Sequence, residues 1–301
     1  MQLPKRYNII TAIITALFIH TSTNLQATCT TTAFPIPDSG QTICYDMEKR
    51  ILCPEPGEKF YGQDANYLIN PPSYTKMDEN GNDLPDDAEK WVMVQDNVTG
   101  LIWEVKTNDY SIHDKDNKYT WYDSNPDTNG AYAGTPGDGT DTEDFIIALN
   151  AEEFGGYLDW RMPYIYELAS IANLGRYNPS IDKKFFPYAM SAFYWSSTSN
   201  ANYTDCAWGV KFNYGFDFNN SKLSSSSFYV RAVRGGQCRS FDHLVINGDE
   251  TVTDVNTGLM WQRETFDVKK NWKTALSNCR MINHAPIPKT CDTGGASGPP
   301  P

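Results

Sequence analysis

The segment Asp96-Asn97-Val98-Thr99-Gly100-Leu101-Ile102-Trp103 returns 158 residues later as Asp254-Val255-Asn256-Thr257-Gly258-Leu259-Met260-Trp261. In each copy the Asp carboxylate can accept backbone N–H groups two residues on, and the Gly tolerates a positive φ. The flanking β-branched and aromatic residues alternate faces. The repeat therefore predicts two β-hairpins, not a catalytic loop. It divides the chain into a complete copy over about 91–236 and a second that starts near Phe241. The second copy (241–301) is too short for the later elements of the first. It runs into Pro286, Pro288 and a Gly/Pro tail expected to be disordered, and it reads as truncated or frame-shifted near Asn283.

A chain of 301 residues has room for one or two such units. With 40% apolar and 13% aromatic residues, a wholly disordered chain is excluded. A mean hydropathy of -0.53 excludes a polytopic membrane protein. The net charge of -12 opposes a phosphate-rich partner, so no nucleic acid ligand is expected.

Lys5 and Arg6 precede an apolar run from Ile9 to Ile19 and the small-residue site ending at Ala27, the pattern of a secretory signal peptide over 1–27. The run is too short to span a bilayer as a helix, so no transmembrane span is expected after cleavage. Cleavage would leave 23 basic against 37 acidic residues, a charge of -14. An exported chain with seven cysteines is expected to form disulfides, and nearness suggests Cys44 with Cys53, Cys206 with Cys238 and Cys279 with Cys291. Cys29 is left over beside the cleavage site, where it is either a lipidation position or a free or otherwise paired thiol.

Residues 28–90 form a Pro-, Asn- and Asp-rich leader that reads as irregular, because seven prolines remove ladder donors. Oxygen-bearing Asp78, Asn80 and Asn82 alternate around Gly81 in a partial match to a calcium loop, although a solvated acidic turn is the favoured reading. Beyond the first hairpin, a long hydrophilic loop runs from Thr107 to Gly139. A helix over about 141–153 follows, introduced by a Thr140–Glu143 capping box and presenting Phe145, Ala148 and Leu149 on one face. A second helix from Pro163 to about Asn173 would bury Leu168, Ile171 and Ala172. Strands are predicted at 193–198, 207–212 and 228–234. The fold class is α+β.

Four ordered blocks carry a resemblance: Asp96-x-x-Thr99-Gly100-Leu101-x-Trp103; Gly156-x-x-Asp159-Trp160-Arg161-x-Pro163-x-x-x-Glu167-Leu168; Tyr194-Trp195-Ser196-Ser197-Thr198; and Val230-Arg231-Ala232-Val233-Arg234-Gly235-Gly236. Together they resemble the bacterial domain named after the C-terminal domain of the collagen-like adhesin Lcl. The resemblance implies a compact, loop-rich C-type-lectin-like domain of the formylglycine-generating-enzyme variety, with two helices packed on short antiparallel sheets. It also implies attachment to sulfated glycans. This chain has no Gly-X-Y run, and its acidity does not suit a polyanion.

Of the signature residues, Asp96, Gly100, Trp103, Trp160 and Trp195 read as structural. The charged members Asp159, Arg161, Glu167, Arg231 and Arg234 are either a ligand-binding cluster or partners bracing loops to a sheet, and partial burial beside apolar neighbours favours bracing. Most of Trp103, Trp160, Trp195 and Trp208 are expected in the core. Tyr203 and Tyr214, with Arg231 and Arg234, are the candidates for a binding rim. Asp138, Asp141, Glu143 and Asp144 form a second candidate calcium group, although compensation of the helix dipole explains them too. A formylglycine-type oxidase would need a reactive cysteine pair, which Cys206 and Cys238 do not resemble in placement. His20, His113, His243 and His284 are dispersed and offer no zinc motif. The functional expectation is an exported, non-enzymatic binding or adhesion module, secreted, periplasmic or at the cell surface, engaging carbohydrate or a cell-surface protein. The alternatives are an exported oxidase of the formylglycine-generating type and a structural envelope protein.

Overall fold

A computed structural model describes residues 35–125, 129, 134–223, 225–235, 244–263 and 269–278. The expected signal peptide, Cys29, Cys238, the Cys279–Cys291 pair and the expected disordered tail lie outside the described residues. The fold is α+β and loop-rich, with several small antiparallel sheets. In the leader, β1 (Cys44–Tyr45) and β2 (Arg50–Ile51) form a small ladder closed by the Cys44–Cys53 disulfide.

The leader is more regular than its composition suggests. Between Pro72 and Pro85 it forms β3 (Tyr74–Met77) and β4 (Asp83–Leu84), joined by a turn in which Asp78 Oδ1 accepts the N–H groups of Asn80 and Asn82. Its prolines fall before and after the paired residues, so no ladder donor is missing. β3 then pairs antiparallel with β5 (Met93–Asp96), and β5 with β6 (Ile102–Glu104). These last two strands are the first hairpin. At its turn Asp96 Oδ1 accepts from the backbone of Val98 and Thr99, and Oδ2 from the Thr99 hydroxyl. Gly100 takes φ +73°, a region costly for any residue with a Cβ.

β7 (Tyr119–Thr120) follows and pairs with a later strand. α1 (Thr142–Ala151) starts one residue later than the capping box suggests. The cap is Asp141, extended at φ -116° and ψ 173°, whose Oδ1 accepts the N–H groups of Glu143 and Asp144. Thr140 is instead held by Asp138. α2 (Ile165–Ser170) is shorter than the 163–173 helix read from sequence, yet Leu168, Ile171 and Ala172 are buried as that pattern requires.

β8 (Phe193–Ser199), β9 (Cys206–Lys211) and β10 (Phe216–Ser221) form an antiparallel sheet in the order β10-β9-β8. The stretch 228–234 is not one strand. It forms β11 (Ser227–Phe228), paired with β7, and β12 (Val233–Arg234), paired with β6, because each end follows a different partner. The main sheet thus has the order β12-β6-β5-β3-β4. Beyond it lie β13 (Leu244–Ile246), β14 (Thr251–Asp254), β15 (Leu259–Gln262) and α3 (Trp272–Asn278). The β14–β15 turn uses the same bonds as the first: Asp254 accepts from Asn256 N and the Thr257 hydroxyl.

Strand alternation explains the core. Val94 and Trp103 face one cluster with Leu168 of α2 and Tyr194, Val210 and Phe212. Their neighbours Met93 and Ile102 face a second cluster with Phe145 and Leu149 of α1, Trp160 and Trp195. The main sheet is therefore covered by a helix on each face. No described helix is long and apolar enough to cross a membrane.

Candidate functional site

Four of the five signature charges are held in two ion pairs. Arg161 presents its fork to Glu167, with Nη1 to Oε2 at 2.8 Å and Nη2 to Oε1 at 2.7 Å, and Nη2 also reaches the Gly235 carbonyl at 3.0 Å. Glu167 Oε2 accepts the Tyr164 N–H as well, so one buried carboxylate starts α2 and ties it to the end of β12. Arg234 makes a second fork to Asp159, through Nε to Oδ1 at 2.7 Å and Nη2 to Oδ2 at 3.2 Å. Arg231 does not join it. It is buried, donates from Nη1 to the Glu104 carbonyl and lies 4.9 Å from the Phe186 ring centre. The four rim candidates Tyr203, Tyr214, Arg231 and Arg234 thus do not form one site.

A charge network that the sequence did not single out lies beneath these residues. Glu104, wholly buried, accepts Lys106 Nζ at 2.8 Å and meets His113 Nδ1 at 3.0 Å through Oε1; its Oε2 accepts the Ala232 N–H at 3.1 Å. Burial pushes its carboxyl up, but Lys106 and His113 together outweigh this and bring it down to about 2. Burial in turn pushes the Lys106 ammonium down. The available signal was the order Ile102-Trp103-Glu104-Val105-Lys106, where strand alternation places two opposite charges on one face.

Three of the four candidate tryptophans are core. Trp103 and Trp195 are fully buried and Trp160 nearly so, while Trp208 is half-buried. Trp195 Nε1 donates to the Tyr119 carbonyl and Trp160 Nε1 to that of Phe154. Tyr203 and Tyr214 are exposed, but they flank opposite ends of β9, roughly 20 Å of strand apart. What gathers round Tyr214 is an aromatic strip. Its ring stacks on Phe216 with centres 5.9 Å apart and planes 8° from parallel. Phe218 lies two residues further along β10 on the same face, and Lys211 Nζ sits 3.8 Å from its ring centre. Exposures of 65%, 45% and 43% for Tyr214, Phe216 and Phe218 leave all three rings open to a ligand. β10 escaped detection because Asn219, Asn220 and Ser221 read as turn residues, and Phe216 and Phe218 were missed with it.

The strip adjoins a cleft of about 660 Å³, between the leader at Ile36–Ser39, Tyr166 and Ala169 of α2, the hairpin tip at Gly215, and Leu259 and Trp261 of β15. Its lining is largely apolar, and Asp254 and Thr257, two of its few polar residues, bond to each other.

Of the calcium candidates, Asp78, Asn80 and Asn82 form the β3–β4 turn. The Asn82 and Asn80 N–H groups hold the Asp78 carboxyl below the usual range. Asp138, Asp141 and Asp144 bring carboxylate oxygens within 4.8 Å of one another. Glu143 does not join them; its carboxylate accepts the Ser124 N–H. Cys206 is a free thiol rather than half of the expected bridge to Cys238. Burial, followed by Asp205, pushes that thiol up, against thiolate chemistry.

Residues 92–234 match the family model described as the Lcl C-terminal domain. No curated protein matches the chain, and neither does any solved structure.

Proposed function

Because the chain carries an Lcl C-terminal domain at residues 92–234, we propose that it is an exported, lectin-like adhesion module that binds carbohydrate on a cell surface and performs no chemistry of its own. The aromatic strip Tyr214–Phe216–Phe218 carries this reading. A pyranose presents a face of C–H groups, and flat exposed rings receive such a face with little loss of conformational freedom. Phe216 and Phe218, i and i+2 on one strand, stand roughly 7 Å apart, so the strip can follow more than one sugar of a chain. Lys211 beside Phe218 can meet a hydroxyl or an isolated acidic group. The acidity of the whole chain disfavours a dense polyanion, so neutral or sparsely charged glycans fit better than heavily sulfated ones.

The engagement of Arg161, Glu167, Arg234 and Asp159 in pairs supports a binding rather than a catalytic role. The Cys44–Cys53 disulfide is compatible with an oxidising compartment. The test is a glycan array probed with the full chain, with and without calcium, followed by titration of the best ligand. Tyr214→Ala and Phe216→Ala should each weaken binding tenfold or more, about 1.4 kcal/mol, and leave the melting temperature unchanged. A chain that binds no glycan on the array, or variants that bind as the wild type does, would overturn the proposal.

A further inference from the structure

The loop entering α1 gathers three carboxylates, and the way their oxygens are used singles out one. Asp144 accepts the Gly137 N–H on Oδ1 and the Gly139 N–H on Oδ2. Asp138 Oδ1 accepts from the backbone and hydroxyl of Thr140. Asp141 Oδ1 accepts the two helix N–H groups. Asp141 Oδ2, on a side chain with no exposed surface, has no hydrogen-bond partner among the described residues. Among the described residues, no Lys or Arg nitrogen lies within 4.0 Å of any of the three carboxylates. An orphaned buried carboxylate oxygen beside two further carboxylates is expensive unless something positive stands there.

We propose that Asp138, Asp141 and Asp144 bind a calcium ion, with Asp141 Oδ2 as its innermost ligand. Oxygens within 4.8 Å of one another can share one ion at calcium–oxygen distances of about 2.3–2.6 Å, since opposite ligands then stand up to ~5 Å apart. Each carboxylate oxygen that already accepts an N–H keeps a second lone pair for the ion. The donors are all hard oxygens, spread over the loop before α1 and the first turn of that helix, which suits calcium over zinc or copper. Exposed Asp138 leaves an open side on which water can complete a shell of six to eight oxygens. This site shares no residue with the aromatic strip, so its fate and that of the glycan reading can be told apart.

The experiment is calorimetric titration of calcium chloride into the chelator-treated full chain, with thermal unfolding alongside and magnesium as the comparison. The expected result is one calcium equivalent, and a rise in Tm of roughly 5–10 °C when calcium stands a hundredfold above its Kd. Asp141→Asn keeps a capping oxygen for α1, and Asp138→Asn alters only an exposed side chain. Each should lower calcium affinity tenfold or more, and Asp138→Asn alone decides the matter if Asp141→Asn does not fold. Absence of both heat and Tm shift at millimolar calcium would show that the three carboxylates hold no calcium. Variants binding calcium like the wild type would place the ion elsewhere. Either result overturns the proposal.

Discussion

Replacing Glu104 by Gln tests the buried charge network directly. The carboxylate has no exposed surface, faces Lys106 at 2.8 Å and His113 at 3.0 Å, and holds the Ala232 N–H. Its pKa falls from an ordinary 4.5 to about 2 in the folded chain. At about 1.4 kcal/mol per tenfold change in proton affinity, that depression contributes roughly 3 kcal/mol. The figure agrees with the ~3–5 kcal/mol cost of breaking a buried pair by removing one partner. Because the folded value lies below the unfolded one, the stabilisation is complete above about pH 4.5 and disappears as pH falls through 2. Urea unfolding followed by tryptophan fluorescence should therefore show Glu104→Gln roughly 3 kcal/mol less stable than wild type at pH 7, a drop in Tm of roughly 6–12 °C. Repeated at falling pH, the difference should shrink from about pH 4.5 and approach zero near pH 2. A difference below ~1 kcal/mol at pH 7, or one that does not change with pH, would refute the reasoning.

Five further substitutions have expected outcomes in the same assay. Arg161→Lys keeps the charge but loses the fork to Glu167 and the bond to Gly235, and should cost about 1–2 kcal/mol; Arg234→Ala, whose partner Asp159 is more than half exposed, should cost under ~1 kcal/mol. Asp96→Ala removes three hydrogen bonds from the first hairpin turn and should cost about 1–2 kcal/mol, whereas the equivalent Asp254→Ala should leave unfolding of residues 92–234 unchanged. Gly209→Ala would bring a Cβ within 2.1 Å of the Tyr194 carbonyl and 2.4 Å of the Phe193 ring, so it should cost more than ~2 kcal/mol or prevent folding. A cost near zero would mean that β8 and β9 separate more easily than their packing implies.

What was legible in the sequence was whatever a local pattern dictates. The Asp-x-x-Thr-Gly turn specifies its own hydrogen bonds, and both copies form them. Leu168, Ile171 and Ala172 share a face by helical spacing and are buried together. Elements that depend on a distant partner were harder to see. β10 is polar at four of its six residues and exists because β9 offers it six residues of pairing. β3 and β4 lie in a leader whose prolines discouraged a strand reading, although those prolines stand outside the paired residues. The split of 228–234 follows from β7 and β6 lying in different sheets. At the candidate site, apolar neighbours of the signature arginines suggested pairing, which Arg161 and Arg234 make and Arg231 does not, and acid placement suggested the Asp138–Asp144 group. The aromatic strip was only partly visible: Tyr214 was singled out, but its stacking partner became apparent only with the hairpin register.

The position of β3 bears on where the folding unit begins. The family match starts at Val92, yet Met93–Asp96 is hydrogen-bonded along its outer side by Tyr74–Met77 from upstream. A fragment cut at Val92 would lay bare a row of unpaired amides and carbonyls beside Met93 and Val94, a template on which other chains can add strands and precipitate. A fragment starting near Ser73 keeps that row covered and should stay monomeric, so the smallest soluble piece of this protein is longer than its recognisable sequence.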